Sequence, residues 1–141
     1  MPATSDPALV ASELRAVLGG LVRRLRSQHG FPLTHGAVLG RLDRGGPQSV
    51  SDLAAAERMR PQSMAQTVSE LEADGLVERR ADPSDRRRAL IELTEQGRSA
   101  LAADRRARED WLAQAIERDL SDDERSMLRD AVELLRRLAE Q

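Results

Sequence analysis

The chain of 141 residues contains no cysteine, no tyrosine and no lysine, and its only aromatic side chains are Phe31 and Trp111. Without cysteine there is no disulfide framework, thiolate metal site, thiol nucleophile or thiol redox switch. Without tyrosine or lysine there is no phenolic acid/base and no Schiff base, which removes most covalent catalysis. Histidine is scarce too: His29 and His35 stand six positions apart with no acidic or histidine cluster beside them, so neither reads as a metal ligand. No convergent acid/base set faces a nucleophile, so the chain is not read as an enzyme. No cofactor-binding pattern is visible. Long apolar runs are missing as well, since nothing approaches the roughly 20 residues needed to span a bilayer. The expectation is a cytoplasmic protein of one domain, long enough to bury a core.

What the sequence does have is arginine: 22 of them, against 24 acidic residues, for a net charge of −2. The total conceals the distribution. Residues 1–57 carry 6 arginines and 5 acids, residues 58–94 carry 7 and 7, and residues 95–141 carry 9 and 12. Within the middle block, Arg79 to Arg88 hold five arginines against Asp82 and Asp85 alone, a local +3. Such a concentration fits a phosphate-facing patch or a solvated hairpin tip, and charge by itself does not separate the two.

Hydrophobic periodicity divides the chain into mostly helical segments. From Pro7 to Gln28, Leu14, Leu18, Leu21 and Leu25 recur at helical spacing, widened by Leu9, Val10, Val17 and Val22; this broad face fits packing on its own domain or on a second copy. A second helix, with Thr34 as its expected N-cap, runs to about Arg44, where Gly45, Gly46 and Pro47 stop it. Ser49 and Ser51 offer caps for a short helix over 52–57. Pro61 then opens a helix to Asp74, with Met64, Val68 and Leu71 inward and Gly75 as the stop. The period shortens towards two in Leu76–Arg80 and Ala89–Leu93, strands joined by the Asp82-Pro83-Ser84-Asp85 turn and Arg86–Arg88. A long helix from Thr94 to about Arg118 follows, and Ser121-x-x-Glu124 is a capping box for a last helix bearing Leu128, Val132, Leu135 and Leu138. Trp111 reads as packing.

A short helix, a tight break and a second helix with a polar start form a helix-turn-helix, and the hairpin behind it makes a winged helix. The fold expected is mainly α with a small β-hairpin wing, flanked by long terminal helices. Arg60, Pro61, Gln62, Ser63, Gln66 and Thr67 open the 61–74 helix and are expected on its exposed side, where they can bond base edges in a major groove. The arginine-tipped hairpin is narrow enough to enter the adjacent minor groove. The competing reading is a winged helix whose arginines bind an acidic protein partner.

The run GLVERRADPSDRRRALIELTEQG at 75–97, with a D-x-x-D-R-R tip closed by L-T-x-x-G, resembles the wing of the MarR family, the multiple antibiotic resistance regulators. LTHGAVLGRL at 33–42 and SVSDLAAAERMRPQSMAQTVSELEADGLV at 49–77 are similar to that family's preceding helices, so the resemblance covers nearly the whole chain. It implies a homodimeric winged-helix transcription factor that binds double-stranded DNA, usually a repressor relieved by a small lipophilic or phenolic effector. It further implies a single domain, with a winged helix-turn-helix over about 33–94 and dimerisation helices over about 7–29 and 95–139. By the same resemblance Arg87 enters the minor groove, flanked by Arg86 and Arg88, and Asp85 braces the wing by pairing with an arginine such as Arg79. Arg60, Gln62, Ser63 and Thr67 fall where the family reads the major groove. The chain departs from the family's thiol-oxidation and zinc-sensing branches, whose cysteines and histidine clusters it lacks, and it is poor in the aromatics of a phenol pocket.

Overall fold

A computed structural model describes residues 6–28 and 30–141. Six helices and one hairpin follow in the order α1 (Pro7–Arg26), α2 (Leu33–Gly45), α3 (Val50–Glu57), α4 (Pro61–Ala73), β1 (Val77–Ala81), β2 (Ala89–Leu93), α5 (Glu95–Asp119) and α6 (Asp122–Ala139). The expected mainly helical winged fold is therefore the one observed. His29, and with it the end of the first helix's expected range, lies outside the described residues. None of the described helices is long and apolar enough to cross a membrane. The chain forms two compact units, one of α1 with the chain from Ala107 onward, the other running from α2 through Arg106.

The second unit holds the core. Val38, Leu39 and Leu42 of α2 meet Leu53 and Ala54 of α3 and Met64, Val68 and Leu71 of α4, closed off by Val77, Ile91 and Leu93 of the hairpin and Leu101 of α5. Fully burying each of the larger side chains contributes roughly 1.5–3 kcal/mol. The antiparallel register pairs Val77 with Leu93 and Arg79 with Ile91. A third backbone segment joins the sheet, because Gln48 N–H donates to the Ile91 carbonyl (3.0 Å) and Ile91 N–H to the Gln48 carbonyl (2.7 Å). The hairpin, marginal alone, is thus sewn to the α2–α3 connection.

Several boundaries move for identifiable reasons. Thr34 does not cap α2; the helix begins two residues earlier, after Pro32, and has no side-chain cap. Ser49 caps α3 through the Asp52 N–H (3.1 Å), so that helix opens at Val50 and not at Asp52. Gly75 stops α4 at φ +77°, with its own N–H on the Glu72 carbonyl and the Leu76 N–H on the Leu71 carbonyl, both 3.0 Å. This closing motif absorbs Leu76, and β1 starts one residue later than the alternation suggests. Between α3 and α4 the chain turns on Arg58, a non-glycine residue at φ +55°.

The first unit is different in kind: α1 and α6 bury no residue. Val17, Leu9, Met127 and Leu138 are each more than 60% exposed. The Ser121 capping box forms as expected, with Glu124 N–H on the Ser121 hydroxyl (3.2 Å) and Ser121 N–H on the Glu124 carboxylate (2.9 Å). Trp111 packs, as its place on a helix suggested, with the Arg24 guanidinium 5.6 Å from its ring centroid.

The L-T-x-x-G motif is the junction of the second unit. Thr94 N–H donates to the Leu76 carbonyl (3.1 Å), and its hydroxyl donates to the Gly75 carbonyl (2.6 Å) while accepting the Gly97 N–H (3.0 Å). A Cβ on Gly97 would lie 2.1 Å from the Leu76 carbonyl oxygen, so backbone must move to admit one. Gly97→Ala should therefore lower stability by about 1–3 kcal/mol despite its better helix propensity, read as a fall in Tm of several degrees. An unchanged or raised Tm would remove the close approach from the account.

Candidate nucleic-acid interface

The start of α4 is built to meet negative charge. Its N-cap, Arg60, makes no side-chain cap, Pro61 occupies the first turn, and no acidic residue follows there. The other uncapped helix start is that of α2, whereas α3 and α6 begin with a serine cap and acidic residues. The free N–H groups of α4 and the positive end of its dipole are left for an external anion. Arg60, Pro61, Gln62, Ser63 and Gln66 are exposed, as expected. Thr67 is not: it is 7% exposed, and its hydroxyl donates to the Ser63 carbonyl (3.2 Å). Thr67 lies one turn on from Ser63, offset towards the core beside Val68, and its hydroxyl is turned back to the helix backbone. Gln66 and Glu70 join one turn apart, Nε2 to Oε1 at 3.2 Å, and Glu70 also accepts from His35 Nε2 at 2.7 Å, which ties α4 to α2. Both partners hold the Glu70 carboxyl below the usual glutamate range, the Gln66 bond being the larger cause. His35 thus has a structural partner, and among the described residues no three potential ligands cluster as a metal site.

The wing divides its arginines by role. Arg79 pairs with Glu72 (3.2 Å) and Arg80 with Glu92 (3.1 Å), which fixes both along the hairpin's side. Arg88 is committed twice, to Asp82 (3.1 Å) and to Asp52 of α3 (3.3 Å). Arg87 stands at the tip with its side chain 92% exposed, and Arg86 beside it is exposed too. The expected pairing of Asp85 with Arg79 does not occur. Asp85 instead accepts from the Arg87 N–H (3.0 Å) and the Arg87 Nε (3.2 Å), because the tight turn folds its carboxylate back over the chain two residues on while Arg79 lies on β1 facing Glu72. An exposed pair of this kind adds little stability but aims the guanidinium outward.

The acid that braces the wing is Asp82. It is 6% exposed, accepts from both the Ser84 N–H (2.9 Å) and the Ser84 hydroxyl (2.8 Å), and holds Arg88. Its own N–H donates to the Arg88 carbonyl (3.2 Å), closing the tip. The signal was present as an aspartate two residues before a serine in turn chemistry, but only the fold shows that this carboxylate turns inward. Between the start of α3 and the wing lies a cleft of about 240 Å³, lined by Ser49, Val50, Ser51, Arg79, Arg87 and Arg88 among others. Its lining includes three arginines.

The Ser84 N–H, then its hydroxyl, then Arg88 hold the Asp82 carboxyl below its ordinary value of 3.8. A depressed folded value means that the stabilisation is fully present above about pH 3.8 and is lost as the pH falls through that lower value. Asp82→Asn should therefore speed amide exchange over residues 81–88 at pH 7, and the difference from wild type should close on acidification below 3.8. A difference that stays constant across that range would mean that the carboxylate charge is not what braces the wing.

A family model for the MarR family matches residues 29–88. An HTH-type transcriptional regulator of Mycobacterium leprae is 33% identical over 137 residues, covering 95% of each chain. A solved Pseudomonas aeruginosa structure, named as that of a transcriptional regulator protein, superposes with a TM-score of 0.84 at 40% identity over 98% of this chain and 99% of that one. A MarR family protein of Bacillus stearothermophilus shares the fold, with a TM-score of 0.72 at 22% identity over 95% of each chain. With the helix-turn-helix, the wing and these relatives together, the chain belongs to the MarR family of DNA-binding transcriptional regulators, and is not an enzyme.

Proposed function

We propose that the chain acts as a homodimeric repressor that holds a pseudo-palindromic operator, with the 61–74 helix in the major groove and the 76–93 wing in the adjacent minor groove. The observation that carries this reading is the pairing, within one compact unit, of an uncapped and acid-free α4 start with a wing whose tip carries the exposed Arg86 and Arg87 while Arg79, Arg80 and Arg88 are held by acids of the fold. Arg60, Pro61, Gln62, Ser63 and Gln66 then face base edges and phosphates; Arg86 and Arg87 enter the minor groove; Arg79 and Arg88 line the cleft beside α3, with Asp85 aiming Arg87. The winged helix-turn-helix over about 33–94 is the reading part, and the helices of about 7–29 and 95–139 assemble the dimer. Supporting the dimer is the exposed apolar surface of α1 and α6, including Val17, Val132 and Leu138, which a single chain leaves in water. Two-fold symmetry then sets half-sites about one helical turn, roughly 10 bp, apart.

Relief of repression in this reading comes from a small lipophilic or phenolic effector that binds the non-operator state better, since a ligand shifts an equilibrium only by its differential affinity. The chain holds no thiol, so ligand binding and not cysteine oxidation carries the signal.

A gel-shift with the gene's own upstream region, challenged by excess non-specific duplex, tests the reading; no sequence-selective retention at low salt contradicts it. Arg87→Ala should weaken operator binding by about 1–3 kcal/mol and flatten its salt dependence. Val132→Glu, which puts a charge on the apolar face of α6, should shift the protein from dimer to monomer in sedimentation and cut operator affinity with it. A charged variant that stays dimeric would move the interface elsewhere.

A further inference from the structure

The Gln66 amide is exposed on α4, and its orientation is biased by a neighbour. Glu70, one turn on, holds it at 3.2 Å, and Glu70 is in turn held from α2 by His35 at 2.7 Å. A carboxylate only accepts hydrogen bonds, so the edge that Gln66 presents to it must be the NH₂. The chemistry thus settles which way the amide points: one N–H goes to Glu70, and the second N–H and the carbonyl Oε1 remain for an outside partner. Because both Gln66 and His35 hold the Glu70 carboxyl below its ordinary 4.5, it is a pure acceptor at neutral pH.

We infer that Gln66 is an adenine-selecting residue and that Glu70, anchored by His35, is the positioning residue that gives it this preference. The inference rests on the DNA-reading function proposed above. In the major groove adenine offers a donor at N6 beside an acceptor at N7, the complement of a free Oε1 beside a free N–H. Guanine offers two acceptors there, O6 and N7, and would set O6 against Oε1. An unrestrained glutamine escapes this by flipping its amide; Gln66 cannot flip without placing Oε1 against the Glu70 carboxylate. Glu70 therefore acts by making the wrong base costly. It also spares Gln66 part of the ordering entropy that a free side chain loses on binding. Gln62, for which no hydrogen bond or ion pair is found among the described residues, lacks this restraint and is expected to be more tolerant.

Selection of binding sites by the full-length protein from randomised duplexes tests this, with Gln66→Ala, Glu70→Gln and the double variant compared by sequencing and by thermal melting. Wild type should enrich adenine at one symmetric position of each half-site and reject guanine there about tenfold or more. Gln66→Ala should erase the preference at that position alone. Glu70→Gln, whose amide can donate as well as accept, lets Gln66 flip, so guanine should gain severalfold at that position while other positions and Tm hold. In the Gln66→Ala background Glu70→Gln should change nothing more. An adenine-over-guanine ratio untouched by Glu70→Gln, or a change spread evenly over all positions, overturns the inference. A selective wild type whose preferences all survive Gln66→Ala overturns it as well, and leaves the functional reading standing. A wild type that enriches no sequence overturns the functional reading and this inference with it.

Discussion

The Thr94 hydroxyl donates to the Gly75 carbonyl at 2.6 Å and accepts the Gly97 N–H at 3.0 Å, while the Thr94 N–H takes the Leu76 carbonyl at 3.1 Å. Three chain segments meet on this one residue: the closing turn of α4, the end of β2 and the first turn of α5. The helix α4 and the hairpin are otherwise joined by the Arg79–Glu72 ion pair at 3.2 Å and by a shared core that includes Leu71, Val77 and Leu93. A winged helix reads DNA as a unit only if those two parts keep a fixed offset. Hydrophobic burial is non-directional and fixes such an offset poorly, whereas three hydrogen bonds to one side chain and its backbone fix it well. The glycine at position 97 follows from the same constraint, since the helix must come within a Cβ's reach of the Leu76 carbonyl.

Around that junction the charges are sorted. Arginines along the flanks of the wing are neutralised by Glu72, Glu92, Asp82 and Asp52, and positive charge is left over at the tip and at the start of α4. The chain as a whole is acidic by two charges, so a non-specific field does not draw it to nucleic acid. In the proposed reading attraction depends instead on where the exposed guanidinium groups stand. Restraint extends to polar side chains: the Asp85 carboxylate aims Arg87, the Glu70 carboxylate fixes Gln66, and Asp82 holds the turn that carries the arginines. In each case an acid restrains a neighbouring side chain or turn by its geometry.

Much of this architecture was legible in the sequence. The helix order, the hairpin and the capping box at Ser121 follow from periodicity and local hydrogen-bonding chemistry, which need only a few neighbouring residues. Boundaries moved where a tertiary contact or a closing motif took over, as at Leu76, which belongs to the end of α4 and not to β1. Thr67 left its expected exposed position for a similar reason. Thr67, four residues on from Ser63, is offset from it by only about 40° of rotation, and whether it meets solvent depends on what packs there. Asp82 sits in a turn motif that is usually exposed; it is buried because Arg88 crosses over it to reach Asp52. The His35–Glu70 contact spans 35 residues and no local pattern announces it.

The central claim is that α4 and the wing engage DNA as one surface. Amide hydrogen exchange of the full-length protein, free and bound to a duplex selected by that protein, tests this most directly. The account predicts slower exchange at the start of α4 and over the 82–88 tip together, with the buried interior of α4 already protected and unchanged. Protection of only one of these two segments, or protection confined to α1 and α6, would contradict it.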